Sequence, residues 1–246
     1  MKQIDFILQK SDLSRLNCEL AVKIHAWLMT HINADDSKKL HTSDEIRPFS
    51  LFIRVQEQNI VLRLSLLNDE VMPLLEATRK ARAFEISGLE KSLPIIGRIE
   101  KPAIALNQLR RPAPKEFAVI LASPASYRHN GKESNLYALE PLLQTVAAKL
   151  RAFEGVDIPN EEVAELCDQV TYARYKLRTS EYKIKPGIVR PSFEGELYLR
   201  PEGTPVQREK MALLLRYAAY AGVGAKTALG MGGIILFDAN LNFKDR

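Results

Sequence analysis

The chain runs twice through the same order of hydrophobic periods, and few folds satisfy that order. Residues 2–9 alternate apolar and polar as a strand does. Leu20, Ile24, Trp27, Leu28 and Ile32 then recur at helical spacing, so an amphipathic helix is expected over 17–33, with Asn17 as its cap. The next stretch, A-D-D-S-K-K-L-H-T-S-D-E-I, reads as a polar linker. Beyond Arg47-Pro48, the runs F-S-L-F-I-R-V and I-V-L-R-L-S-L-L flank a Q-E-Q-N turn and make a hairpin. Asp69 is placed to cap a helix over 70–82, which carries Val71, Leu74, Leu75 and Thr78 on one face. Strand-like pieces follow at 83–89 and 93–107. The order β-α-β-β-α-β is one ferredoxin-like unit.

Proline and charge then cluster in R-R-P-A-P-K (110–115) without apolar periodicity, which marks a boundary. Past it the order repeats. Residues 116–123 form a strand and Leu139 to Phe153 a helix, with long strands at 169–184 and 188–200. Thr204-Pro205-Val206-Gln207 is a capping box that opens a helix over 205–221. Gly222 ends that helix, and a last strand is expected at 233–238. The expectation is an α+β protein of two tandem ferredoxin-like (βαββαβ) domains, 1–112 and 113–246. The repeat is one of element order, not of residues.

A chain of 246 residues with 46% hydrophobic and 26% charged residues has the composition of a folded protein. No apolar run approaches a membrane span, and the first residues lack a signal-peptide core, so a cytoplasmic protein with no membrane partner is expected. Cys18 and Cys167 lie far apart and read as buried free thiols. No HxxH, cysteine cluster or carboxylate cage suggests a metal or other cofactor. Net charge is +5, so distribution decides more than the sum.

Five of the 12 glycines fall between 222 and 233, in A-G-V-G-A-K-T-A-L-G-M-G-G-I-I-L-F. Glycine costs backbone entropy, so such a cluster serves conformation or close approach. One use is a loop whose bare backbone, around Gly224 and Gly230, lies against a polyanion. Lys226 and Thr227 fit that use because both meet phosphate oxygens. The loop follows a helix and precedes a strand, the reverse of a Walker P-loop or a dinucleotide fingerprint.

Residues 172–191 hold six basic residues, Arg174, Lys176, Arg178, Lys183, Lys185 and Arg190, against one acid, Glu181. In an extended strand Arg174, Lys176 and Arg178 share one face, and Ala173, Tyr175 and Leu177 the other. That pattern describes a half-buried strand with a basic outer stripe, suited to a phosphate backbone or to an ordinary solvated face. Tyr127-Arg128 at the start of the second half offers a stacking ring and a cation, with Tyr127 equally suited to the core.

Taken together, the tandem order and the closing helix–G-x-G-x-K-T-x-L-G-x-G–strand resemble the CRISPR repeat-processing endoribonucleases of the RAMP superfamily. Three further segments agree: I-H-A-W-L followed by Leu40-His41; Arg47-Pro48-Phe49, where the family commonly carries Lys-Pro-Phe; and S-P-A-S-Y-R-H-N-G-K. The resemblance implies metal-free cutting of CRISPR precursor RNA within each repeat. The ribose 2′-hydroxyl attacks the adjacent phosphate, leaving a 2′,3′-cyclic phosphate and a 5′-hydroxyl. It implies repeat RNA as partner, with other CRISPR effector subunits or a second copy of the chain as further candidates. A rival reading is a non-catalytic RNA-binding subunit of an effector complex.

The resemblance places the family's catalytic histidine at His41. A histidine near neutral pKa suits either proton role. Arg47 takes the place of the family's lysine; it grips phosphate but exchanges no proton, so transition-state stabilisation is its expected role. His25 lies near the position where some members have a catalytic tyrosine, and is a candidate second proton carrier or a structural histidine beside Ala21, Leu28 and Ile32. His31 and His129 read as surface residues, the latter beside the RNA candidate Arg128.

Overall fold

A computed structural model describes residues 1–9, 19–41, 46–56, 59–86, 92–129 and 131–238, with His41 described in its backbone alone. In the first half β1 (Lys2–Gln9) lies at the centre of its sheet, because Ile4, Phe6 and Leu8 all point into one core. Helix α1 (Glu19–Thr30) lays Leu20, Ile24 and Leu28 into that core. It ends sooner than expected: the Thr30 hydroxyl and the His31 ring both bond the Trp27 carbonyl. The cap expected at Asn17 lies outside the described residues.

The expected polar linker is in part a helix, α2 (Ala34–His41). Asn33 starts it: its Oδ1 accepts the Asp36 amide at 2.8 Å, and its Nδ2 donates to the Asp36 carboxylate at 2.6 Å. Helical periodicity was hidden because Leu40 is the helix's one large apolar residue.

Strands β2 (Phe49–Gln56) and β3 (Asn59–Leu66) pair antiparallel, Phe49 against Leu66. A 3-10 turn at Asp69–Val71 precedes α3 (Met72–Lys80). No side chain caps either start, so the cap expected of Asp69 is not made; Pro73 begins the helix instead. The strand pieces that follow are shorter than expected, β4 (Ala83–Phe84) and β5 (Leu93–Glu100). Pro102 lacks a donor and stops any longer ladder. The sheet order is β2-β3-β1-β5-β4.

In the second half β6 (Phe117–Ala125) leads into a small hairpin, β7 (Tyr127–His129) and β8 (Lys132–Ser134). Helices α4 (Leu139–Glu154) and α5 (Asn160–Asp168) precede two long strands, β9 (Val170–Lys185) and β10 (Ile188–Pro201). Helix α6 (Pro205–Ala221) starts at the capping box read from sequence, with Gln207 Oε1 accepting the Thr204 amide at 2.9 Å. Strand β11 (Ile234–Asp238) closes the sheet, ordered β11-β6-β10-β9. The small hairpin and α5 were not expected, since neither carries a long apolar period.

Both halves therefore show the ferredoxin-like arrangement, with the first strand flanked by the third and the last. They also grip each other. Gln3 donates to the Ala219 carbonyl at 2.8 Å and Ser50 to the Tyr220 carbonyl at 2.6 Å. Ala228 of the glycine loop is buried in the first half's core cluster, and Leu67 in the second's.

Candidate functional site

The glycine loop occupies the seam between the two sheets. Its backbone is not the open set of donors that the sequence suggested. The Gly224 amide donates to Thr145 Oγ1 at 2.8 Å, and Ala225 to the Ser126 carbonyl at 2.8 Å. Gly232 and Gly233 donate to Pro124 and to Ser123 Oγ, both at 2.8 Å. The glycines serve close approach instead. At Gly224, φ is 70°, and an added Cβ would lie 2.1 Å from the Ser126 carbonyl oxygen. At Gly230 it would lie 2.3 Å from both the Ala21 Cβ and the Tyr182 hydroxyl. One non-glycine residue, Lys226, holds a left-handed backbone at φ 59°, and its side chain is exposed. Thr227, expected to meet a ligand, is 5% exposed.

What Thr227 meets is Lys149, a residue sequence reasoning passed over. Lys149 sits in the middle of α4 at 6% exposure. Its Nζ donates to Thr227 Oγ1 at 2.6 Å and to the Ala221 carbonyl, at the end of α6, at 2.5 Å. Burial pushes its pKa down to about 7. The one signal in the sequence was a lysine in register with Leu142, Val146 and Leu150, a charge on an apolar helix face.

Arg47, just ahead of β2, joins this loop to the end of α2. It lines a cavity of about 310 Å3 with Lys149, Lys226, Thr227 and Gly224, and among the described residues no carboxylate lines that cavity. It also lines a second cavity, of about 670 Å3, with Lys39 and Leu40 of α2. Its buried Nη1 has no hydrogen-bond partner among the described residues, and burial lowers its pKa. Asp44 and Glu45, the acids that precede it in the sequence, lie outside the described residues. An incompletely satisfied guanidinium beside the exposed Lys226 is an anion-attracting arrangement.

The backbone of His41 ends α2, one residue past Leu40, so it stands beside the larger of these cavities. His25 lies within the core at 4% exposure, its ring stacked on Phe49 with centroids 5.8 Å apart. Tyr127 is core as well, 6% exposed against Phe193.

The basic ribbon differs from its sequence reading in two ways. Residues 171–176 of β9, the edge strand of its sheet, are exposed on both faces. Several of its charges are also already paired: Arg178 with Glu194 at 2.7 Å, Lys183 with Glu19 at 2.6 Å and Arg190 with Glu133 at 3.0 Å. Arg174 lies over the Tyr198 ring, 3.6 Å from its centroid. Arg128, Lys176 and Lys185 are exposed.

Comparison with known proteins supports one family throughout. A family model described as CRISPR-associated endoribonuclease Cas6 matches residues 119–234. The CRISPR-associated endoribonuclease Cas6 of Streptococcus thermophilus is 25% identical over 252 residues, covering 96% of this chain and 98% of that protein. Its namesake from Mycobacterium tuberculosis (strain CDC 1551 / Oshkosh) is 22% identical, over 94% and 75% of the two chains. Among solved structures, a Cas6 product complex superposes with a TM-score of 0.77 at 20% identity, over 96% of this chain and 99% of that one. Thermus thermophilus Cas6 superposes with a TM-score of 0.74 at 20% identity, over 96% and 98%. At that identity the likeness establishes the tandem ferredoxin-like fold. With the family match across the second half and near-full-length agreement with named relatives, the chain is similar to the CRISPR-associated endoribonuclease Cas6 proteins along most of its length.

Proposed function

We propose that this protein binds CRISPR repeat RNA and cuts it, with Arg47 at the scissile phosphate and His41 exchanging a proton with the reacting ribose. The 2′-hydroxyl loses its proton and attacks phosphorus, the bond to the 5′-oxygen breaks, and that oxygen leaves protonated. The fragments carry a 2′,3′-cyclic phosphate and a 5′-hydroxyl. The reading draws its support from the relatives' activity as endoribonucleases and from one observation: Arg47 lines both the cavity beside the His41 end of α2 and the cavity of the glycine loop. A phosphate there meets a fixed cation where charge develops. Lys226, Lys176, Lys185 and Arg128 are exposed to track the backbone. Residues 1–112 then supply the chemistry and 113–246 most of the RNA grip.

The experiment is cleavage of a labelled cognate repeat in EDTA by wild type, His41→Ala and Arg47→Ala. Loss of cutting in His41→Ala with retained binding is expected. Undiminished cutting by that variant would remove the assignment. Binding without cutting by the wild type would favour the non-catalytic effector subunit.

A further inference from the structure

An apolar pocket lies apart from the cavities that Arg47 lines. It has a volume of about 460 Å3 and opens between the start of α4 and β9. Leu136, Tyr137, Tyr172, Tyr175, Phe193 and Leu197 wall it. Three of these face solvent, Leu136 at 74%, Tyr175 at 67% and Tyr172 at 39% exposure. So much apolar surface gathered at one concave spot marks a binding site. Tyr137 meets Tyr172 and Phe193 edge to face, at 6.2 and 5.6 Å between centroids, and so forms a packed inner wall.

A β-bulge assembles the tyrosines. Leu199 pairs with Tyr172 and Tyr198 with Arg174, which leaves Ala173 unopposed. Leu197 pairs with Tyr175. Regular alternation would set Tyr172 and Tyr175 on opposite faces. The extra residue puts both on the face of Leu197 and Leu199.

We propose that this pocket takes an unpaired nucleobase of the bound RNA, stacked on Tyr172 or Tyr175, and reads the repeat away from the cut. The proposal rests on the RNA-cleaving reading above. Bases are the RNA groups that suit it, since each offers a flat π face to an aromatic ring. The same strand supplies an exposed cation, Lys176, for a flanking phosphate. Arg178, paired with Glu194, lines the pocket and also the cleft that holds Ala21, Arg54 and Tyr182. Helix α4 ties the pocket to the cutting site: Ala138 lies at the pocket and Thr145 at the cavity of Arg47. Along the helix those residues are about 10 Å apart, at 1.5 Å per residue. That is roughly three stacked nucleotides at 3.4 Å each.

The test places 2-aminopurine singly at successive positions of the cognate repeat and titrates it with wild type, Tyr172→Ala, Tyr175→Ala and Tyr175→Phe. Both tyrosines are surface residues, so the variants fold. At one position within a few nucleotides of the cut, wild type quenches the fluorescence. One or both alanine variants lose that quenching and bind about tenfold more weakly, while Tyr175→Phe keeps both properties. Unchanged affinity and unchanged fluorescence in both alanine variants, with cutting intact, overturn the pocket and leave the groove to a protein partner. Failure of the wild type to cut or bind the repeat overturns the RNA reading itself.

Discussion

Lys149 donates to the hydroxyl of Thr227 across 2.6 Å and to the carbonyl of Ala221 across 2.5 Å, so one buried amine clamps the glycine loop to the end of the helix before it. Such a clamp fixes Lys226, the adjacent left-handed residue, toward the cavity of Arg47.

Lys149→Met retains much of the volume and removes the clamp. Buried donors and acceptors lose partners, and a loss of about 1–3 kcal/mol follows. The pH dependence of stability carries a sharper signature. The folded amine titrates at about 7, against 10.5 in an ordinary setting. Between those values the unfolded chain binds a proton that the native protein has released, so stability rises with pH through that window. Thermal unfolding from pH 7 to 10 should show a smaller rise in Lys149→Met than in wild type. Equal rises would show that the native amine stays charged throughout.

Gly230→Ala is expected to destabilise more than Gly155→Ala, although both positions have positive φ. The new methyl at 230 would meet Ala21 and Tyr182 at 2.3 Å, whereas nothing lies within 4 Å at 155. Strain at 155 alone costs about 1 kcal/mol. Urea unfolding of the two variants measures the difference, and similar midpoints would refute the close-approach role of the loop glycines.

Charge removal should separate paired cations from those with no ion-pair partner among the described residues. Lys226→Ala and Lys185→Ala lower the slope of log affinity against log salt by about 0.7–0.9 each if each meets one phosphate. Lys183→Ala shifts it less, because Glu19 already neutralises that charge at 2.6 Å. Filter binding across a salt series decides this. In Lys226→Ala the affinity defect exceeds any defect in single-turnover cutting at saturating enzyme; the reverse order would contradict its binding role.

His25→Phe is expected to keep cutting within a few-fold, since a ring at that position still stacks on Phe49. A change in the shape of the pH–rate profile would instead restore His25 as a proton carrier beside His41.

How much of this was legible beforehand follows from the range of each force. Residues 2–9, 139–153 and 205–221 declared their elements because their apolar periods and caps are local. Leu40-His41 gave no such signal, so a helix stood where a linker was expected.

Element order, charge excess and the glycine motif were thus determined by the sequence alone, as properties of near neighbours along the chain. Only the tertiary structure decided that the loop's amides face inward, that Lys149 reaches Thr227, that Arg47 borders two cavities and that a bulge turns Tyr172 toward Tyr175. Each of these depends on packing between segments distant in sequence, where burial and hydrogen-bond satisfaction, not periodicity, choose the partner.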